Sequence, residues 1–114
     1  MVSEICSGLR VLDLSRSWSG ALVTMVLADA GAEVIKIEAP GGDPTWSHYA
    51  SPMWHRGKKS AFLDLKSFDG QKFLTQLVAK SDVLVHTFMP GTDTKLGADY
   101  DALSPYNQSL VYCS

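Results

Sequence analysis

The stretch from residue 8 to residue 44 constrains the fold most, because it contains two strand patterns on either side of a helix pattern. Arg10–Leu14 is a short apolar run typical of a buried strand, and residues 33–37 form a second one. Residues 21–30 form an apolar segment ended by Gly31, where helices favour a left-handed residue. Strand, helix and strand within about 30 residues make a βαβ unit. Such a unit requires a parallel sheet and a right-handed crossover.

The rest of the chain continues this alternation. Residues 61–65, 82–86 and 110–113 are predicted strands, and residues 93–96 and 100–103 are predicted short helical turns. Between them, Ser67 is a helix N-cap candidate before a helix over residues 68–79, whose apolar face is Phe73, Leu74, Leu77 and Val78. The sequence therefore predicts an α/β fold: a Rossmann-like, doubly wound and mainly parallel sheet of about five strands.

Composition narrows the class of protein. A chain of 114 residues with 46% hydrophobic and 19% charged residues predicts one globular domain over residues 1–114. The net charge of −2 and the lack of a basic stripe argue against nucleic-acid binding. The longest apolar stretch, residues 21–30, is far shorter than the ~20 residues of a membrane span. The early acid in MVSEICSGLR argues against a signal peptide. Two distant cysteines, Cys6 and Cys113, favour a reducing cytoplasm.

The first turn, residues 15–20, is the default ligand-facing segment, because ligands bind at the carboxyl ends of parallel strands. With Arg16 and a helix N-terminus it could receive an anion, or its serines could simply cap the helix. No glycine fingerprint specifies a dinucleotide or P-loop site, so Glu38 is a weak match to a ribose-binding acid. The basic cluster at residues 56–59 is either a solvated loop or, with Arg16, Lys36 and Lys95, a polyanion-binding rim.

Other candidate residues favour structural roles. His48, His55 and His86 have no ligand partners at metal spacing, so no metal site is assigned. The serines lack a nucleophile elbow. Asp13 and Asp64 both occur as L-D-L, where an acid more often caps a neighbouring backbone than serves a site. The long loop at residues 41–59 is rich in aromatic residues, including Trp46, and is expected to be functional or packed down.

Five segments taken together resemble the family III CoA-transferases, which include formyl-CoA transferase, carnitine-CoA transferase and α-methylacyl-CoA racemase. They are GLRVLDLS, LADAGAEVIKIEAPGGDP, RGKKSAFLDLKS, DVLVHTFMPG and the terminal LVYCS. The resemblance covers nearly the whole chain from Gly8. It implies the start of a Rossmann-like large domain, incomplete here, that binds CoA or acyl-CoA as substrate. It also implies a homodimer whose subunits interlock.

The resemblance also implies site residues. Ser17 and Trp18 are similar in position to residues near the thioester end of CoA. The residues implied to flank the nucleotide are His55, Lys58, Thr87, Phe88 and Met89, and Lys95 takes a position near the phosphates. The family often has Arg where this chain has Ala39, and Asn-Phe-Arg where it has Thr87-Phe88-Met89. Both differences remove groups that would hold the nucleotide, and a charged hydrogen bond to a phosphate contributes about 1.5–3 kcal/mol.

No catalytic residue is assigned, because no Asp matches the motif of the family's nucleophilic aspartate, which lies downstream of the matched region. An end at Ser114, directly after an apolar strand, suggests the front part of a longer protein or one member of an intertwined assembly. The sequence thus predicts the N-terminal CoA-binding portion of an acyl-CoA transferase, inactive alone. The alternatives are a non-catalytic module that binds nucleotides or a partner, and a fragment of a dinucleotide-dependent oxidoreductase.

Overall fold

Five parallel strands form one sheet in the computed structural model, which describes residues 5–42 and 47–114. The strands are β1 (Arg10–Leu14), β2 (Glu33–Glu38), β3 (Lys59–Phe62), β4 (Val83–His86) and β5 (Val111–Cys113). Their order is β3-β2-β1-β4-β5, and every pairing is parallel. The strand order therefore reverses between β1 and β4, as in doubly wound sheets. The predicted fold class is confirmed.

The helices connect these strands. They are α1 (Trp18–Asp29), α2 (Ser51–Trp54), α3 (Phe68–Ala79), α4 (Thr92–Lys95) and α5 (Tyr100–Leu103), followed by a 3-10 helix at Ser104–Tyr106. The expected end of α1 is confirmed, since Gly31 follows it with a φ of 102°. The helix begins at Trp18, however, three residues before residue 21, and Ser17 is its N-cap residue in extended geometry.

The third strand is shifted from its predicted position at residues 61–65. Lys59 pairs with Ile35 and Phe62 pairs with Glu38, so β3 ends before Leu63. The alternating apolar residues extended the predicted strand too far. Leu65 is buried in the core, but it lies in the turn that leads into α3 and not in the strand. Trp46, in the long loop before β3, lies outside the described residues. The described part of that loop contains α2, whose Trp54 is buried.

Two apolar layers cover the faces of the sheet. On one face, Leu12, Leu14 and Leu84 pack with Leu74 and Val78 of α3. On the other face Val11, Val34 and Val85 pack with partly buried Leu27 and Ala28 of α1. Alternation along β1 therefore directs Asp13 to the same side as Val11. Phe73 was expected in the core but is 49% exposed, because it lies on the outer side of α3.

The start of α3 follows the predicted capping pattern. The Ser67 hydroxyl accepts a hydrogen bond from the Gly70 amide at 3.0 Å and donates to the Asp64 carbonyl at 2.7 Å. The chain between β3 and α3 is thereby held tightly over the first turn of the helix. Within the described residues, each helix is too short or too polar to span a lipid bilayer.

Candidate functional site

A cleft of about 520 Å³ opens at the carboxyl edge of the sheet. Its walls come from the segments that follow four strands: Arg16 after β1, Ala39 and Pro40 after β2, residues 64–66 after β3, and Phe88 after β4. Thr92 of α4 and Leu96, the residue that follows this helix, also line the cleft. This is the edge at which doubly wound sheets bind ligands.

Two cations and one aromatic ring dominate the cleft. The Arg16 guanidinium carbon lies 5.7 Å from the centre of the Phe88 ring, a cation–π distance. The Arg16 amide donates to the Thr87 hydroxyl at 2.9 Å, which fixes this residue to the end of β4. Lys66, which follows β3, also lines the cleft and is exposed. The arrangement suits a ligand that combines a flat ring with negative charge.

Asp64 lines the same cleft but is engaged with its own turn. Its Oδ1 accepts a hydrogen bond from the Lys66 amide at 3.0 Å, and its carbonyl accepts one from the Ser67 amide at 3.0 Å. This confirms the expectation that an acid in L-D-L caps a neighbouring backbone.

An aromatic cluster supports Phe88 from behind. The His86 ring stacks on Phe88 at 5.1 Å and meets Tyr112 edge-on at 5.3 Å. The His86 Nδ1 accepts a hydrogen bond from the Phe88 amide at 3.0 Å. Burial lowers the pKa of His86, although the nearby Asp93 carboxylate opposes the change. His86 therefore acts as a neutral packing and hydrogen-bonding group at this edge.

Beneath the first turn lies a buried polar cluster that sequence reasoning did not assemble. Asp13 is fully buried, and its Oδ2 accepts hydrogen bonds from Thr24 Oγ1 at 2.6 Å and Lys58 Nζ at 3.0 Å. Burial raises the pKa of Asp13, but the charges of Lys58 and Lys36 and the hydrogen bonds from Ser15 and Thr24 outweigh it and leave the pKa below 3.8. The carboxylate is thus ionised and paired inside the domain.

The basic cluster at residues 56–59 does not form a common rim. Arg56 pairs with Asp29, Lys58 with Asp13, and Lys59 with Glu33. Lys36 is 1% exposed and Glu38 is 4% exposed, so both are buried in the sheet. The cations that sequence reasoning grouped together therefore point to three different carboxylates.

The eight residues named from the resemblance fall into separate places. Phe88 lines the cleft, and Thr87 holds Arg16 beside it. Ser17 is the N-cap residue of α1 and Trp18, the first helical residue, is 59% exposed. The other four are outside the cleft lining: His55 and the Lys58 amine are buried, whereas Met89 and Lys95 are exposed.

Lys66 is the cleft residue that sequence reasoning missed. It was interpreted only as part of a turn, although a cation directly after a strand of a parallel sheet belongs to the ligand-binding edge. Among residues 5–42 and 47–114, no group of His, Cys, Asp or Glu side chains is arranged to hold a metal ion.

Comparison with known proteins gives consistent matches along the chain. The family model described as CoA-transferase family III matches residues 6–114. The formyl-CoA:oxalate CoA-transferase of Streptomyces coelicolor is 36% identical over 123 residues, covering 100% of this chain and 30% of that protein. The crystal structure of Rv3272 from Mycobacterium tuberculosis, named a probable fatty acyl-CoA transferase, is 39% identical with a TM-score of 0.88. It aligns with 96% of this chain and 32% of that one.

A CAIB/BAIF family protein from Brucella suis is similar to the same extent in structure. Its crystal structure is 35% identical with a TM-score of 0.88, over 96% of this chain and 32% of that chain. This chain therefore spans less than a third of the length of the relatives named here.

Proposed function

Because the chain belongs to CoA-transferase family III, we propose that the cleft at the carboxyl edge of its sheet binds the nucleotide end of CoA or acyl-CoA. In this role the chain is the N-terminal CoA-binding portion of an acyl-CoA transferase, which moves CoA between carboxylic acids. The relatives named formyl-CoA:oxalate CoA-transferase and probable fatty acyl-CoA transferase support this reaction class.

One observation carries the proposal: the cleft places two cations around an aromatic ring. The Phe88 ring and the Arg16 guanidinium over it form a flat pair on which an adenine ring would stack, an interaction worth about 1–3 kcal/mol for nucleobases. The Arg16 guanidinium carbon lies 5.7 Å from the centre of the Phe88 ring, and Lys66 is exposed in the lining of the same cleft. These two side chains are our candidates for the CoA phosphates. Lys95, exposed on α4, is a third cation near this edge.

Calorimetric titration with CoA tests this site. Lys66→Met should weaken binding about 10- to 100-fold, since a hydrogen bond to a charged group contributes about 1.5–3 kcal/mol. Affinity should also fall with added salt, and less steeply in the variant than in the wild type. The matched control is Lys72→Met, an exposed lysine on α3 outside the cleft. Equal affinities for the two variants, or no saturable binding by the wild type, would refute the assignment.

We propose that these residues supply binding and no nucleophile. Asp13 is buried in an ion pair and Asp64 Oδ1 accepts a hydrogen bond from its own turn, so we assign neither carboxylate as the nucleophile for a thioester. Incubation with acyl-CoA donors and carboxylate acceptors, followed by mass spectrometry, should yield no exchanged thioester. Multiple turnovers would contradict this. A non-catalytic module that binds only a protein partner would differ by having no CoA affinity at all.

We also propose a homodimer, with the outer side of α1 as part of the interface. Trp18, Val23 and Val26 of this helix are 59%, 47% and 60% exposed, and an all-round apolar helix is typical of a buried one. Analytical ultracentrifugation should show a dimer, and a monomer at high concentration would contradict it. We place the protein in the cytoplasm, in keeping with the free thiols Cys6 and Cys113, and cell fractionation tests this location.

A further inference from the structure

The buried cluster beneath the first turn has no part in the binding proposal above. We infer that Asp13 and Lys58 are a positioning pair: together they hold the turn after β1, residues 15–17, and so place Arg16 at the cleft. The role assigned to the cleft rests on the proposed function, whereas the positioning of the turn does not.

Asp13 uses both of its carboxylate oxygens to organise the turn. Its Oδ1 accepts hydrogen bonds from the amide and the hydroxyl of Ser15, at 2.9 Å and 2.5 Å. Its Oδ2 accepts hydrogen bonds from Thr24 on α1 and from Lys58. One side chain of β1 thus bonds the turn, the helix that follows it, and the segment before β3.

The remaining polar groups of the turn are held by neighbouring strands. Lys36 of β2 donates from Nζ to the Ser15 carbonyl at 3.3 Å. Thr87, just after β4, accepts from the Arg16 amide at 2.9 Å. The backbone next to Arg16 is therefore fastened to three adjacent strand segments, which leaves little freedom in where the guanidinium emerges.

Packing adds a steric constraint on the same turn. A Cβ placed on Gly20 would lie only 2.3 Å from the Ser15 Cβ, so the first turn of α1 rests directly on Ser15. A displacement of Ser15 would consequently move the start of the helix as well as Arg16.

Lys58 completes the arrangement from the far side. Its side chain is 2% exposed, and Nζ donates to Asp13 Oδ2 at 3.0 Å and to the Ala21 carbonyl at 3.1 Å. A buried amine in this geometry neutralises the carboxylate and ties it to α1. Lys58 therefore acts through Asp13, in contrast to the direct nucleotide contact that the family resemblance implies.

Amide hydrogen exchange measured by NMR tests the pair without any ligand. In Lys58→Met, the amides of Ser15 and Arg16 should exchange at least about tenfold faster relative to the Leu84 amide in β4. Lys58→Gln keeps a donor of similar reach and should recover part of the protection. The matched control is Lys59→Met, because the Lys59 amine is exposed and pairs with Glu33. This variant should leave the exchange ratio unchanged. An unchanged ratio in folded Lys58→Met, or exchange in Lys58→Gln as fast as in Lys58→Met, would overturn the inference.

CoA titration of the same variants separates positioning from direct contact. If Lys58 acts by positioning Arg16, Lys58→Met weakens CoA binding about tenfold in the wild-type background and has no further effect in an Arg16→Met background. Equal weakening in both backgrounds would mean that Lys58 acts independently of Arg16, and would overturn the inference. If wild-type protein does not bind CoA, the proposed function fails, and the exchange ratio alone decides whether the pair holds the turn.

Discussion

Gly70→Ala offers a sharp test, because the sequence and the structure predict opposite signs for it. On helix propensity alone, replacing a glycine inside α3 should stabilise the protein by about 1 kcal/mol. In the structure, however, a Cβ at residue 70 would lie 1.9 Å from the Asp64 carbonyl oxygen and 2.6 Å from its carbonyl carbon. Both atoms belong to backbone, which cannot rotate away as a flexible side chain would.

The magnitude follows from the groups that must move. Separating residues 64 and 70 loosens the Ser67 cap, which bonds Gly70 and Asp64 at once, and removal of such a cap costs about 1 kcal/mol. Overpacking costs about a further 1–3 kcal/mol. After the propensity gain is subtracted, we expect a net destabilisation of about 2 kcal/mol.

Urea denaturation followed by circular dichroism measures this destabilisation. With a slope of about 1–3 kcal/mol per molar urea, the midpoint should fall by roughly 1 M. Gln76→Ala, an exposed substitution in the same helix, should leave the midpoint almost unchanged. A Gly70→Ala midpoint equal to or above that of the wild type would refute the reasoning from close approach. Because residues 64–66 line the cleft, the same variant should also bind CoA more weakly.

Two further predictions concern the aromatic cluster. Burial lowers the pKa of His86 below the ordinary 6.5, so the unfolded chain binds a proton at this imidazole more readily than the folded chain does. The free energy of unfolding should therefore decline as the pH falls below about 6.5. His86→Phe should flatten that decline in urea midpoints measured from about pH 5 to 8. A retained decline would exclude His86 as its source. Burial and the nearby carboxylates of Asp93 and Asp99 raise the pKa of Tyr112 to about 12. The neutral phenol therefore contributes its full share to the free energy of unfolding below pH 10, and this share is lost as the pH rises through 12. Tyr112→Phe should cost about 1 kcal/mol at pH 7 in thermal unfolding, because it removes the hydrogen bond to the Ala98 carbonyl, and an unchanged midpoint would contradict this.

The fold was largely predictable because its signals are local. The apolar runs of β1 and β4, the glycine after α1 and the Ser67 cap each act within a few residues. The boundaries of β3 were not predictable in the same way. Its alternating residues satisfy a strand pattern beyond Phe62, and only the pairing with β2 decides where the strand ends.

The cleft was predictable in its location and not in its composition. Parallel topology places clefts at the carboxyl edge, and Arg16 of the first turn and Phe88 after β4 line this one. That these residues bind CoA stays a prediction. Lys66 was overlooked because its role depends on the turn between β3 and α3 folding toward that edge. The Lys58 amine is buried against Asp13, whereas Lys66 is exposed in the cleft lining.

By itself, the sequence determined the element types, the parallel α/β class and the family, because periodicity, capping and ordered motifs are properties of short segments. Tertiary structure alone decided which charges face the cleft. Lys58 and Lys59 are adjacent in a basic run, yet one amine is buried on Asp13 and the other is exposed beside Glu33. The difference arises from the Asp13 carboxylate, 45 residues away in the chain, which becomes a neighbour of Lys58 only in the folded protein. Such long-range contacts leave no local pattern, so only the folded chain distinguishes the two lysines.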